Sequence, residues 1–286
     1  MKLTHDCIPC LVRQTLEAAR LVSDDPDVHE RLLRSSLSYL NELSFDATPP
    51  VVGAEVHANI RKVLNNPDPY REQKDRFNEL ALHLRPTLEK QVRNAADPFE
   101  EAVRLAIAGN VVDFGVRANL SEEDLLRAVE DAAHSGLAGE IDVLRRRVDQ
   151  AEQILYIADN TGEIVLDRLL LERLPAGRVT VAVRGGPVLN DATMEDARFA
   201  GIHDVAPLIS SGAAVPGTDL ARCSEEFQRK FQEADLIIAK GQGNYESLND
   251  TRPGEIAFLF RVKCDVVARL SGYPLHANVV LFEEEK

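Results

Sequence analysis

The sequence predicts an α/β protein in which a helical N-terminal region precedes a doubly wound, mainly parallel sheet. Two observations carry this. Up to about residue 150 the apolar residues recur at helical spacing almost throughout. Beyond that point, short apolar runs alternate with helical stretches, the pattern of a parallel sheet with crossover helices. A third observation concerns function. Three of those runs end in polar, glycine-containing loops, and ligands of such sheets sit at the carboxyl ends of the strands.

The first half, residues 1–150, reads as helices over Asp6–Leu21, Asp27–Leu43, Pro50–Leu64, Pro69–Leu84, Pro86–Ala95 and Pro98–Ala108. Proline is favoured in a helix's first turn, where its missing N–H has no partner to lose. Ser121 is placed to cap a helix whose Leu125, Leu126, Val129, Ala132 and Ala133 share one face, and a last helix spans Ile141–Gln150. The second half, residues 151–286, holds expected strands at Gln153–Ala158, Arg178–Val183, Val205–Ile209, Asp235–Ala239, Ala257–Val262 and Asn278–Phe282. Helices are expected at Gly162–Leu174, Met194–Ala200 and Ser224–Glu233, with Gly212–Thr218 as the clearest loop.

Composition narrows the function classes. A net charge of −14 argues against nucleic-acid binding, which needs a concentrated basic surface. Arg145-Arg146-Arg147 reads as a solvated helix face. No apolar run approaches the roughly 18 residues of a membrane span, and the first residues lack the apolar core of a signal peptide, so a cytoplasmic enzyme is expected. Oligomeric state is not legible. Cys7 and Cys10 form one C-x-x-C beside His5, with Cys223 and Cys264 far away in sequence. An accessory metal site, a redox pair and plain packing on the first helix all fit that spacing.

The three loops carry the chemistry. The first is Asp159-Asn160-Thr161-Gly162-Glu163, with Asp167 one helical turn further on. The second runs from Arg184-Gly185-Gly186-Pro187 to Asn190-Asp191-Ala192-Thr193, and the third is Lys240-Gly241-Gln242-Gly243-Asn244-Tyr245. Asp159, Asn160 and Asp191 supply hard oxygen donors suited to Mg²⁺ or Mn²⁺. Lys240 offers a point charge to a phosphate, Arg184 a second cation, and the backbone N–H groups near Gly162 and Glu163 an anion cradle at a helix start. Phosphoryl transfer depends on positioning and electrostatics, which such an inventory supplies.

These loops resemble the damage-control phosphatases, a metal-dependent group related to a reported acidic-residue methyltransferase. The resemblance runs through Asp159-Asn160-x-Gly162-Glu163, Asn190-Asp191-x-Thr193 and Lys240-Gly-x-Gly-Asn244-Tyr245. Gly109-Asn110-Val-Val-Asp113, Cys7-x-x-Cys10 and Asp68-Pro69-Tyr70 with Lys74 extend it over most of the chain. It implies a helical region packed on an α/β/α sandwich and a divalent ion (Mg²⁺, Mn²⁺, Co²⁺ or Ni²⁺) on Asp159, Asn160 and Asp191. It also implies substrate contacts from Asn110 and Asp113, which spacing alone reads as a helix end and a turn, and small phosphorylated metabolites such as sugar phosphates as substrates. The attacking group stays open between water and a carboxylate such as Asp159. The second Asp of haloacid-dehalogenase chemistry is replaced here by Thr161. Two other readings remain: a carboxyl methyltransferase using S-adenosylmethionine, whose glycine-rich loop would need more than the single Gly162, and a binding module without turnover.

Overall fold

The protein is described from a computed structural model over residues 1–111, 122–134, 136–252 and 254–283. The N-terminal helices are α1 (Cys7–Val22), α2 (Pro26–Asn41), α3 (Pro49–Leu64), α4 (Arg71–Asn94) and α5 (Pro98–Ala108). Two of their starts are capped as their sequences suggest. Asp25 accepts from the Asp27 N–H, Asp97 accepts from those of Phe99 and Glu100, and a proline follows each. A 3-10 turn, Gly109–Val111, closes α5, and α6 (Glu122–His134) follows; Ser121 lies outside the described residues.

One helix is longer than expected. Pro69–Leu84 and Pro86–Ala95 form the single α4, which begins at Arg71 and carries Pro86 inside it. A proline removes the hydrogen bond to the carbonyl four residues back, here that of Leu82. Leu82 is an exposed position, so water can take the bond's place, while Leu84, Leu88 and Val92 anchor both sides of the proline in the core.

The sheet contains β1 (Ala138–Gly139), β2 (Ile154–Ile157), β3 (Val179–Val183), β4 (Leu208–Ser210), β5 (Leu236–Lys240), β6 (Ile256–Arg261) and β7 (Asn278–Phe282). Their order is β1-β7-β6-β5-β2-β3-β4, and every pairing is parallel except β6 with β7. The mainly parallel sheet is therefore as predicted. The very short β1 was not foreseen, because two residues cannot express a periodicity. The strand expected from Val205 begins instead at Leu208, after a 3-10 turn over Ile202–Asp204. From β2 the chain steps outward to β3 and β4, then returns to β5 on the other side of β2. The strand order thus reverses between β2 and β5, which makes the crevice above their carboxyl ends the natural ligand position.

Alternation along the strands divides the interior into two cores. Ile154, Tyr156, Leu236 and Ile238 face one, and Leu155, Ile157, Ile237 and Ala239 face the other. The first core is covered by α4, α5, α7 (Ile141–Gln150), α8 (Glu163–Leu171) and α9 (Met194–Phe199). The second is covered by α10 (Glu225–Glu233), α11 (Gln242–Leu248) and α12 (Asp265–Ser271), with Ala54 from α3. The result is a three-layer α/β/α sandwich. Residues from α4 and α5 lie in the same core as β2, β3 and β5, so the change of pattern near residue 150 marks no break in the packing. Among the described residues, no helix is long and apolar enough to cross a membrane.

Candidate functional site

The turn after β2 and the loop after β3 are zipped together by backbone hydrogen bonds. Thr161 N donates to Asn190 O and Ala192 N to Asp159 O, both at 2.8 Å, so Asn160 and Asp191 form a β-bridge beyond the strands themselves. This brings Asp159, Asn160 and Asp191 together as expected. Arg184, the residue after β3, bridges the two carboxylates: Nε donates to Asp191 Oδ2 at 2.6 Å and Nη2 to Asp159 Oδ1 at 3.2 Å. Its Nη1 donates to Asn244 Oδ1 at 3.2 Å, an oxygen that also accepts from Thr218 Oγ1 at 2.8 Å.

The third loop approaches from β5. Gly241 has φ +78°, and a Cβ there would lie 1.8 Å from Asp159 Oδ2. Only glycine lets the β5 turn pass this close to the carboxylate. Asn110 reaches in from the end of α5: its Nδ2 donates to Asp159 Oδ2 at 3.0 Å and to Glu163 Oε2 at 2.7 Å. Asn160 Nδ2 donates to the same two oxygens at 2.9 and 3.0 Å. Asp113 lies outside the described residues.

Two sequence-based assignments are corrected by this geometry. Lys240 does not present its charge to an open phosphate position. Its ammonium donates to Ala106 O, Glu163 Oε1 and Asp167 Oδ1 at 2.8, 2.7 and 2.5 Å, which uses all three donors. Strand parity is the reason. Lys240 shares the face of Leu236 and Ile238, so its side chain runs beneath α5 and α8, where Glu163 and Asp167 lie one turn apart on α8. The backbone cradle is likewise filled. Gly162 N donates to Asn78 Oδ1 at 2.8 Å and Glu163 N to Thr161 O at 2.8 Å. The Glu163 carboxylate instead ties Lys240 to Asn110 and Asn160.

The electrostatics are those of a buried, acid-rich cluster. Asp159, Glu163, Asp167 and Asp191 are paired with two cations, Arg184 and Lys240. Burial, together with repulsion from Glu163 and Asp191, pushes the Asp159 carboxyl up to about 8 against the pull of Arg184. Burial raises Asp167 to about 6, with Lys240 opposing it. Burial works to lower the pKa of the Lys240 ammonium, but Asp167 and Glu163 outweigh it and hold the group above its ordinary value.

The donor set fits a hard divalent cation. It offers carboxylate oxygens of Asp159 and Asp191 and the amide of Asn160, the hard oxygen donors such an ion prefers. In addition, Asn110 Oδ1 is buried with no hydrogen-bond partner among the described residues. Among the described residues, no three His, Cys, Asp or Glu side chains form a ready metal cage, so amide oxygens would have to complete the set. Among the described residues, the cysteines join no such group either. All four are free thiols, with Cys7 Sγ 3.4 Å from Thr4 Oγ1 and Cys10 Sγ 3.5 Å from Gln14 Nε2. A cleft of about 390 Å³ opens onto Arg184, walled by Asp68 and Arg71 from the helical side and by Gly185, Pro187 and Glu195 from the sheet side.

Sequence reasoning did not single out Asn78, Asp196 or Thr218, which hold the loops in place. Asn78 was detectable in principle. It is a small polar residue on the buried face of α4, between Phe77 and Ala81 and one turn after Lys74.

Known proteins resemble the chain over nearly its full length. The Damage-control phosphatase ARMT1-like domain matches residues 3–279. An uncharacterised Methanocaldococcus jannaschii protein, MJ0202, is 36% identical over 98% of this chain and 95% of its own. Damage-control phosphatase PH1575 of Pyrococcus horikoshii is 35% identical, with 98% of both chains aligned. A damage-control phosphatase of Archaeoglobus fulgidus is 34% identical over 94% of this chain and 95% of its own. The crystal structure of the Pyrococcus protein, described as a DUF89 family member, superposes with a TM-score of 0.89 over 99% of this chain and 100% of that one. The chain belongs to the ARMT1-like damage-control phosphatase family.

Proposed function

We propose that the protein is a divalent-metal-dependent phosphatase that hydrolyses small phosphorylated metabolites such as sugar phosphates. The observation that carries this reading is the junction of Asp159, Asn160 and Asp191 at the strand-order reversal, with Arg184 bridging the carboxylates at the floor of a cleft. Asp159, Asn160 and Asp191 would hold the metal ion, which when bound would supply Lewis-acid stabilisation of phosphoryl charge.

The chain's own groups do the rest. Arg184 lies beside both carboxylates and lines the cleft, and the charge of this nearly buried cation would attract a phosphoryl group entering there. Asn244 and Thr218 orient that guanidinium from the far side. Asn110 and Asn160 direct N–H donors at Asp159 Oδ2 and so fix the orientation of its carboxylate. Lys240 acts at one remove: it neutralises Glu163 and Asp167, and Glu163 in turn aligns Asn110 and Asn160. Asp68 and Arg71 wall the cleft from the helical region, which supports leaving-group selection by that region.

The test is phosphate release from an aryl phosphate and a panel of sugar phosphates with Mg²⁺, Mn²⁺, Co²⁺ or Ni²⁺. Release that disappears with chelator and in Asp159→Ala supports the proposal. No release with any of the four metals overturns it.

A further inference from the structure

The two turns that meet at the site are both held by one amide from the helical region. Asn78 of α4 is 2% exposed, and its two ends make different bonds. Its Oδ1 accepts the Gly162 N–H at 2.8 Å and its Nδ2 donates to Asp196 Oδ1 at 3.0 Å. The amide has only one workable orientation, because a backbone N–H requires an acceptor and a carboxylate requires a donor.

Asp196 extends the link to the second turn. Its Oδ2 accepts from Thr193 N at 2.8 Å and from Thr193 Oγ1 at 2.7 Å, forming the capping box that starts α9 two residues after Asp191. The fully buried Lys74, one helical turn before Asn78, lies 3.2 Å from Asp68 and 3.5 Å from Asp196 and balances that carboxylate's charge. A single side chain thus spans the Asp159–Glu163 turn and the Asp191–Asp196 turn.

We propose that Asn78 is a positioning residue, which sets the spacing of Asp159 and Asn160 relative to Asp191 and so makes metal affinity depend on the docking of α4. This rests on the metal-dependent reading above. The hydrogen bond between residues 78 and 196 is reversible in polarity, and that makes the idea testable. In N78D the new carboxylate still accepts from Gly162 but faces Asp196 with no proton to share. In D196N the donor end of Asn78 and the Thr193 donors compete for one amide oxygen. In N78D/D196N the carboxylate at position 78 accepts from both Gly162 and the new amide at position 196. The oxygen of that amide serves Thr193, so the net charge and the bond between positions 78 and 196 are restored with the roles exchanged. Lys74 now has its nearby carboxylate at position 78, one turn along its own helix.

Mn²⁺ binding is measured by the electron paramagnetic resonance signal of the free ion, which needs no turnover, and folding is followed by circular dichroism. Each single variant is expected to weaken Mn²⁺ binding roughly tenfold or more, within the range for groups that orient metal ligands. The double variant is expected to return to within about threefold of wild type. Single variants that bind Mn²⁺ like wild type overturn the proposal, as does a double variant no better than the weaker single or one that does not fold. If a single variant unfolds, the double variant alone decides, by the same limits. Wild-type protein that neither binds Mn²⁺ nor releases phosphate overturns the phosphatase reading and this one together. Wild-type protein that does both, with N78D matching it, overturns this one alone.

Discussion

Arg184 and Lys240 invite comparison. Both are cations at the carboxyl ends of strands that flank β2, and both bridge two acidic side chains. Arg184 sits beyond its strand on the floor of the cleft. Lys240 is the last residue of β5, points into the first core and is sealed beneath α5 and α8. The same chemical pattern therefore yields a cation beside the cleft, which the proposed function assigns to a ligand, in one place and a sealed counter-ion in the other. What separates them is strand parity and a difference of one residue in where the strand stops.

The sharpest way to break this comparison is to remove the charge on the ligand side. Asp159→Asn keeps the volume and is expected to lower metal-dependent phosphate release by more than about a thousandfold. Its amide has one acceptor oxygen, so it serves either Arg184 or the Asn110 and Asn160 donors and not both, and the melting temperature is expected to fall modestly. A Tm loss alongside retained activity would reverse the assignment. On the sealed side, Lys240→Met leaves Glu163 and Asp167 buried without their cation, and chemical denaturation is expected to show a loss of about 3–5 kcal/mol. If Lys240→Met instead kept full stability and lost only turnover, Lys240 would belong with Arg184.

Arg184→Lys is the smaller, complementary change. A lysine cannot reproduce the forked contact to Asp159, Asp191 and Asn244, and kcat/KM is expected to fall about 10- to 100-fold with the far-ultraviolet circular dichroism unchanged.

A buried group that belongs to neither cluster supplies the mildest test. Burial pushes His57 down to about 3 from an ordinary 6.5, and its Nδ1 lies 2.8 Å from the Tyr70 hydroxyl. The unfolded chain takes up a proton on this residue below pH 6.5, whereas the folded chain does not until about pH 3. Its contribution to stability is therefore complete above pH 6.5 and is lost as pH falls, by about 1.4 kcal/mol per pH unit. His57→Gln is expected to flatten the stability–pH profile between pH 4 and 6 by about that slope, and an unchanged profile would show that His57 is not the group responsible.

The strands and their polar loops were legible because each rests on a local signal. Apolar runs of four to six residues followed by Asp-Asn, Arg-Gly-Gly or Lys-Gly mark β2, β3 and β5 and their ends. Asn110 was reached only through family resemblance, since nothing within α5 hints that its last turn ends against Asp159. The seven-residue helices α11 and α12 were not foreseen.

By itself, the sequence determined the order of helices and strands, the parallel sheet and the presence of an oxygen-donor set at its rim, because periodicity and turn chemistry act over a few residues. Only the tertiary structure decided which polar groups are still free to meet a ligand. The Gly162 N–H is spent on Asn78, 84 positions away in the chain, and the Lys240 ammonium on Glu163 and Asp167, 77 and 73 positions away. A buried donor must be satisfied by whatever acceptor the packing brings to it, and that partner is set by how α4, α5 and α8 dock on the sheet.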